Sequence, residues 1–542
     1  MRLKGSTHKF SVIFSAVLIG IFTATSAFAT IYYVSTSGND QTGDGSTTRP
    51  WATLSFACSR VNVFSDVIQV NAGSYTDNAQ CVLARGVKIM GASSGTTSIG
   101  TTANPYILAS SSVPTVDGSN EISGIAFSGA NEAIRSIGRN NQKIHDNTFT
   151  NFATWLRIEG KSPAFVSTCV GGEGSATHCD NNKLLTVYPT STDWATGAEI
   201  YNNTVTNSNL YPRTLKNSVI HNNSIDNSAA DRSAIGHTGL FYENVDIYNN
   251  TILMHSATYT NIAVEMWHVA ADTKFRDNMT NGWISFNFNP YGPTTPYSLE
   301  IYNNDLSSDV VSSVIHTAIE VAGWITNVRV YGNYVANIGA NKPWDIGVYI
   351  NGAGTMRNIM IDHNVFYKIN SSDVGINSTQ PWSQPMDLDN VYIYNNVFDH
   401  GAGNTSVAIL LENDGTHGDI DGVFVRNNLF MNMKYGVGFW PQPPVTTSGN
   451  FFDHNAVYNM TGYVDSAHDN GSFTVGTNYT LTPEIIGSGS RWKNYYRPNG
   501  PNSNLVDRGT AVGLPYLGVA PDIGTYEYAV LAPPSGLTVT AP

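Results

Sequence analysis

Charge is scarce in this chain: only 13% of its 542 residues are Asp, Glu, Lys or Arg, and the formal net charge is −13. Binding to nucleic acid is dominated by cationic contacts to phosphate, so this balance excludes nucleic acid as a partner. Passive capture of a polyanion is disfavoured too, unless a local basic patch or bound cations overcome the overall field. Cysteine is nearly as rare. Four are present, and the sequence-near pairing of Cys58 with Cys81 and Cys169 with Cys179 is the simplest of three connectivities in an exported chain. Each closed loop would contribute on the order of 3 kcal/mol if unstrained. No C-x-x-C pair or clustered Cys/His spacing occurs, which argues against zinc.

Long apolar runs are also missing. After residue 29 nothing approaches 18 uninterrupted apolar residues, so no membrane span is expected. Residues 1–29 have the form of an export signal: Arg2, Lys4 and Lys9 precede the apolar run Phe10 to Phe22, followed by Ala27-Phe28-Ala29. The expected mature product is secreted or extracytoplasmic, with bacterial-type export. What the chain has in abundance is 49 Gly, 28 Tyr and 22 Phe, with Asn, Ser and Thr at most polar positions. That mixture suits short strands and turns.

One motif recurs. IHDNTF (Asn147), IYNNTV (Asn203), IHNNSI (Asn223), IYNNTI (Asn250), FRDNMT (Asn278) and IYNNDL (Asn304) are followed by VYGNYV (Asn333), IDHNVF (Asn364), IYNNVF (Asn396), VRNNLF (Asn428) and FDHNAV (Asn455). Each unit alternates inward apolar with outward residues, breaks at Asn, and resumes with another apolar position. Asn tolerates the left-handed backbone and suits a tight bend between strands. Stacked coils place the amides above one another as an asparagine ladder. The predicted fold is all-β, a single-stranded right-handed parallel β-helix. The interval from Asn147 to Asn203 is about twice the usual one, leaving room for an unmarked coil or a long insertion. The expected organisation is a signal at 1–29, an N-terminal cap and first coils at 30–114, and the β-helix core at 115–460. C-terminal coils and a cap follow at 461–530, and a Pro-rich tail at 531–542.

Over roughly residues 115 to 460 the sequence resembles the pectate-lyase-like β-helix superfamily. The segments YYVSTSGNDQTGDGSTTRPWATL (32 to 54) and DVIQVNAGSYT (66 to 76) resemble the opening of many bacterial secreted β-helix proteins, and PDIGTYEY (521 to 528) resembles the end of surface proteins with an anchoring tail. The resemblance implies a monomer acting on an extracellular polysaccharide, with cell-surface association an open alternative. It does not select among the lyases, hydrolases, epimerases and non-catalytic proteins built on this fold.

In enzymes of that superfamily the strand before the IYNN strand commonly carries the substrate groove. Counting back from the motif gives one outward column Glu265, Ser285, Glu320, Tyr349, Asn377, Leu410, Gly438 and a second Trp267, Asn287, Ala322, Asn351, an unassigned position, Glu412, Trp440. Glu265 and Glu320 fall two coils apart, roughly 9.6 Å at ordinary strand spacing. That lies at the upper end of the separation inverting glycosidases use, roughly 6.5 to 9.5 Å, and is too wide for a retaining pair. The candidate catalytic residues are therefore Glu265 and Glu320, with His237 and His268 from adjoining coils. The candidate substrate contacts are Trp267, Ser285, Asn287, Tyr349, Asn351, Trp440 and Arg213.

A lyase would need neutralisation of a uronate and abstraction of its C5 proton. Arg157, Arg213, Lys216, Arg232 and His316 are available, but no dense basic cluster emerges. No metal ligand set is assigned. Ca²⁺ is the one cofactor left open, through the acidic loop Glu412, Asp414, Asp419, Asp421 or the pair Asp40 and Asp44, both of which read better as turn chemistry. Ordinary solvated side chains are the plain alternative for each outward Glu, and a non-catalytic glycan-binding surface protein is the rival function.

Overall fold

The computed structural model describes residues 29–111, 115–160, 165–169, 184–186, 189–227, 233–236, 241–254, 262–288, 299–308, 317–323, 325–337, 345–352, 356–377, 388–401, 406–413, 420–441, 447–465, 471–488 and 495–528. One helix is present among them, Leu54–Arg60, which follows the Thr53 N-cap and buries Leu54, Ala57 and Cys58 in the N-terminal end of the core. Cys58 is bonded to Cys81 across 5.3 Å between Cα atoms, and the second expected pair lies outside the described residues at Cys179. Tyr32 stacks on Trp51 beside this cap.

The rest is a right-handed parallel β-helix of three strands per coil. One coil consists of Trp283–Phe288, Leu299–Tyr302 and Asp305–Ser308. Each pairs in parallel with its counterpart one coil on, Thr317–Gly323, Thr326–Tyr331 and Tyr334–Asn337. Alternation along each strand sends Ile284, Phe286, Ile301 and Leu306 inward, all fully buried. Burying each such side chain contributes about 1.5–3 kcal/mol, and because every coil adds its own set the core extends along the axis. Rings stack inside as well, with Phe398 between Phe366 and Phe430 at 5.2 and 4.9 Å.

The two asparagines of the motif divide the bend between them. The first takes the left-handed backbone, with φ of 54° at Asn202, 55° at Asn222 and 53° at Asn249, and Asp146, Asp277, Gly332, His363 and His454 hold the same place in other coils. The second is buried and makes the ladder. Asn250 Oδ1 accepts from the Asn223 backbone N–H at 3.0 Å and from Asn223 Nδ2 at 2.9 Å. Its own Nδ2 donates to Ile220 O at 2.9 Å and Asn278 Oδ1 at 3.0 Å. The chain of amides runs unbroken from Asn147 through Asn455 and one step further to Asn478, which the motif count does not reach. Asn147 bonds directly to Asn203, and Lys143 to His145 pair with Glu199 to Tyr201. The doubled interval is therefore one coil with an insertion. Within it Phe165–Cys169 and Leu184–Thr186 form their own antiparallel pair, apart from the main sheet.

The outward residue of the same motif stacks too: His145, Tyr201, His221 and Tyr248 lie 4.6 to 5.1 Å apart with nearly parallel rings, and the Arg276 guanidinium continues the stack over Tyr248 at 4.1 Å. Along the C-terminal half, residues 495–528 leave the coil path and lie against the outside, where Tyr496, Leu505 and Ile523 pack on Val365, Val397 and Leu429.

The division of labour predicts opposite tolerances at neighbouring positions. Asn249→Gly should leave the urea midpoint unchanged while Asn249→Ala loses about 1 kcal/mol to the left-handed backbone. At Asn250 both Gly and Ala should lose about 3 kcal/mol or more, because they orphan buried backbone and amide groups in two coils. Equal losses at 249 and 250 would show that the ladder bonds carry no special weight.

Candidate functional site

Parallel pairing fixes the outward columns without any counting. Glu265 lies opposite Ser285, Ser285 opposite Glu320, and Glu320 opposite Tyr349. The two carboxylates therefore stand two coils apart on one face, as the sequence spacing predicts. Tyr349 lies opposite Gly375, which lies opposite Leu410, itself opposite Gly438. Asn377 belongs to the next column instead, in the order Asn287, Ala322, Asn351, Asn377, Glu412, Trp440. The placement of Asn377 in the Glu265 column is thus corrected by one outward position: the residue due there is Gly375, which has no side chain to reveal it.

The column also extends backwards. Arg135 lies opposite Arg157, Arg157 opposite Tyr211, and Gly236 opposite Glu265. Ile235 pairs with both Leu210 and Val264, which puts Gly236 between Tyr211 and Glu265. The face then reads Tyr211, Gly236, Glu265, Ser285, Glu320, Tyr349, Gly375, a carboxylate pair flanked on each side by a glycine and a tyrosine. Gly236 has φ of 93°, and a Cβ there would fall 1.8 Å from Glu265 O, so no other residue fits without moving the backbone of the neighbouring coil. A Cβ at Gly375 would fall 3.1 Å from Tyr349 Cδ2, so the tyrosine ring lies across the space this glycine leaves.

Glu320 is the most perturbed group on this face. Ser285, 3% exposed, donates through Oγ to Glu320 Oε2 at 2.7 Å, and Asn351 Nδ2 donates to Oε1 at 3.4 Å. Burial pushes the carboxyl above its usual range and the negative charge of Glu265 adds to that rise, while the two donors work against it. Water still reaches part of Glu320, which is half-buried, as is Glu265. Asn351 Oδ1 has no hydrogen-bond partner among the described residues, leaving an acceptor at the edge of the groove. Two coils further, burial likewise raises Glu412, opposed by a hydrogen bond from the Tyr349 hydroxyl.

The remaining predicted residues fall in several places. Arg213 is on the second column, its Nη1 3.5 Å from Glu159 Oε2, and its guanidinium lies 5.5 Å from the Tyr211 ring, with Arg157 4.9 Å from that ring. Arg157 in turn is 3.0 Å from Glu132, so these cations are balanced by acids. Asn287 is half-buried opposite Ala322. Trp267 and His268 share a bulge: Met266 pairs with Phe286 and Val269 with Phe288, so two residues face Asn287. At that bulge His268 adopts φ of 60° and turns inward, 2% exposed, with its ring 5.2 Å from Phe241. Burial lowers it to about 4, so it is a neutral core side chain and is withdrawn as a catalytic candidate. The backbone of Trp440 pairs with Glu412, but the side chains of Trp267 and Trp440, and all of His237 and His316, lie outside the described residues.

Tyr211 and the two flanking glycines are the groove residues missed from sequence. The signal for Tyr211 is the strand Asn209–Arg213, six residues ahead of the motif strand that contains Val219, obscured by Pro212.

Of the acids left open for Ca²⁺, Asp40 and Asp44 are taken up locally. Asp40 accepts from Ala52 N, Thr53 N and Thr53 Oγ1, and Asp44 from Ser46 N, so both brace the cap loop. Among the described residues no three His, Cys, Asp or Glu converge on one point, and Asp414 and Asp419 lie outside them. No helix among the described residues is long and apolar enough to cross a membrane.

No protein-family model matches the chain, and no curated protein matches it. Solved structures do. The catalytic domain of Agl-KA is 13% identical over 77% of this chain and 62% of its own length, with a TM-score of 0.32. The A-module of the Azotobacter vinelandii mannuronan C-5 epimerase AlgE6 is 14% identical over 80% of this chain and 94% of that one, with a TM-score of 0.34. Pectate lyase Pel9A is 15% identical, covers 93% and 98%, and has a TM-score of 0.23. The chain thus spans less than two thirds of the Agl-KA domain, and the β-helix assignment rests on the strand pairings themselves.

The site predicts two shifts of opposite sign, readable by carboxyl-carbon NMR titration of Glu320. Ser285→Ala should raise its titration midpoint further, and Glu265→Gln should lower it. Because the folded protein holds this proton more tightly than the unfolded chain, Glu320 destabilises the fold as pH rises from about 4.5 through its raised value. Glu320→Gln should therefore be more stable than the parent at pH 7, with the difference vanishing below pH 4.

Proposed function

We propose that the chain is a secreted enzyme that cleaves an extracellular polysaccharide along this groove by hydrolysis with inversion. The observation that carries the reading is the asymmetry of the aligned pair: Glu320 is hydrogen-bonded by Ser285 and held protonated to higher pH than an ordinary carboxyl, while Glu265 faces it across one coil. A carboxyl held protonated beside a second carboxyl is suited to the acid role of such a pair. Glu320 would protonate the glycosidic oxygen and Glu265 would activate water on the opposite face of the sugar ring. Roughly 9.6 Å between their strands leaves room for that water.

Tyr211 and Tyr349, five coils apart and so roughly 24 Å, would bracket the glycan at either end. The open floor at Gly236 would admit a sugar ring between Tyr211 and the carboxylates, while Tyr349, lying across the space of Gly375, would close the other end. Asn351 Oδ1 would accept a sugar hydroxyl. Among the described residues Arg157 and Arg213, on the same two columns, are matched by Glu132 and Glu159. Export rests on the residues before 30, which fall outside the described part apart from Ala29.

Purified protein incubated with xylan, dextran, other α- and β-glucans, pectin and alginate should release reducing ends without absorbance near 235 nm. Unsaturated product at that wavelength would mean lyase chemistry, and no product from any of them would leave only glycan binding. Each of Glu320→Gln and Glu265→Gln should lower kcat by about 10² to 10⁴. An aryl glycoside with a good leaving group should restore turnover to Glu320→Gln alone, because only that variant lacks the proton donor. Full activity in both variants would refute the pair.

A further inference from the structure

A cavity of about 600 Å³ lies on the corner between the second and third strands of the coil, opposite the groove face. Its floor is built by three successive coils, from the left-handed bend residues Asn303, Gly332 and His363 and the strand-opening residues Asp305, Tyr334 and Val365. Its roof is the outer C-terminal segment, through Arg497, Thr525 and Tyr526.

The way that segment is seated explains the space. In the two following coils the bend asparagines fasten it directly. Asn395 Nδ2 donates to Asp522 O at 3.0 Å, and Asn427 Nδ2 donates to Thr510 O at 2.8 Å while its Oδ1 accepts from Thr510 N at 2.8 Å. Thr525 Oγ1 then donates to Asn364 O at 2.9 Å, and beyond this point bends 303, 332 and 363 are bridged at a distance. The roof is thus anchored on one side and spans the opening.

We propose that this cavity is a second binding site, separate from the groove, for a short neutral oligosaccharide. Its volume lies within the range of specific small-ligand sites, about 300–1,000 Å³. The lining combines aromatic rings, Tyr334 and Tyr526, with planar polar groups, Asn303, Asp305, His363 and Arg497, the last stacked 4.7 Å over Tyr526. Ring faces take the C–H face of a sugar, and amide, carboxylate and guanidinium edges take its paired hydroxyls. An apolar ligand would strip water from those polar groups without replacing their hydrogen bonds. Within the lining one cation, Arg497, is balanced by one carboxylate, Asp305, so the lining selects no net charge.

The site would hold a glycan chain while the groove on the far face acts on another, and its existence does not depend on the groove's chemistry. The test is calorimetric titration of the full chain carrying Glu320→Gln with xylohexaose, cellohexaose, maltohexaose and laminarihexaose. One of these should show a binding step that weakens about tenfold in Tyr526→Ala and in Arg497→Gln and is unchanged in Tyr211→Ala. Matching thermal melts would confirm that the roof variants are folded, and Tyr526→Phe, which keeps the ring, should retain the step. Absence of any step sensitive to Tyr526 or Arg497 would overturn the second site and leave the groove assignment standing. A step present without polysaccharide cleavage by the parent protein would do the reverse.

Discussion

The buried chain of asparagine amides is the interaction on which the rest of the structure depends. Each ladder asparagine accepts from the backbone and amide of the coil before it and donates to the coil after it, as Asn364 does between Asn333 and Asn396. A bend that turns inward would otherwise strand backbone donors and acceptors in an apolar core, at about 1–3 kcal/mol for each unsatisfied group. Because the same amide must meet its neighbour in every coil, the ladder holds consecutive coils in register. A slip of one residue would turn every inward side chain out. Register in turn is what makes an outward column meaningful, and the alignment of Glu265 with Glu320 is a consequence of it.

On the groove face Glu265 and Glu320 stand in one outward column, two coils apart. Burial and the negative charge of Glu265 both raise the proton affinity of Glu320. Ser285 limits the rise in Glu320 and orients its Oε2. Glycines at the flanks keep the face from being filled by its own side chains, while Tyr349 is tied to Glu412 and so held across the space of Gly375. Elsewhere on the outer surface charges are paired along the axis, as Lys274 with Glu300 and Arg329 with Asp362, and these pairs brace neighbouring coils.

Much of this was legible in the sequence because the ladder imposes a residue type as well as a spacing. The fold, the ladder from Asn147 to Asn455 and the two-coil separation of the glutamates all follow from a repeated amide and a two-residue alternation. What was hidden depends on backbone events that leave no such mark. A glycine at an outward position, Gly375, drops out of any count of outward side chains, and this displaced Asn377. The bulge at Trp267 and His268 arises from a left-handed residue that is not Asn or Gly, so both His268, against Phe241, and Val269 lie inside and strict alternation fails at this point. Tyr211 precedes Pro212 in a strand with no repeated residue type to mark it, so nothing in the count located it. The helix Leu54–Arg60 and the outer C-terminal segment fall where the repeat is absent, and both are held by polar contacts specific to one place in the chain.

In the proposed mechanism Glu265 and Glu320 act as a separated acid and base pair with water between them. Proton NMR of the first product formed from a soluble glycan that the protein cleaves tests it most directly, since it reads the anomeric configuration before mutarotation. A new reducing end of configuration opposite to the cleaved linkage is the predicted result; retention of configuration, or an unsaturated end with no new anomeric proton of the inverted form, would contradict it.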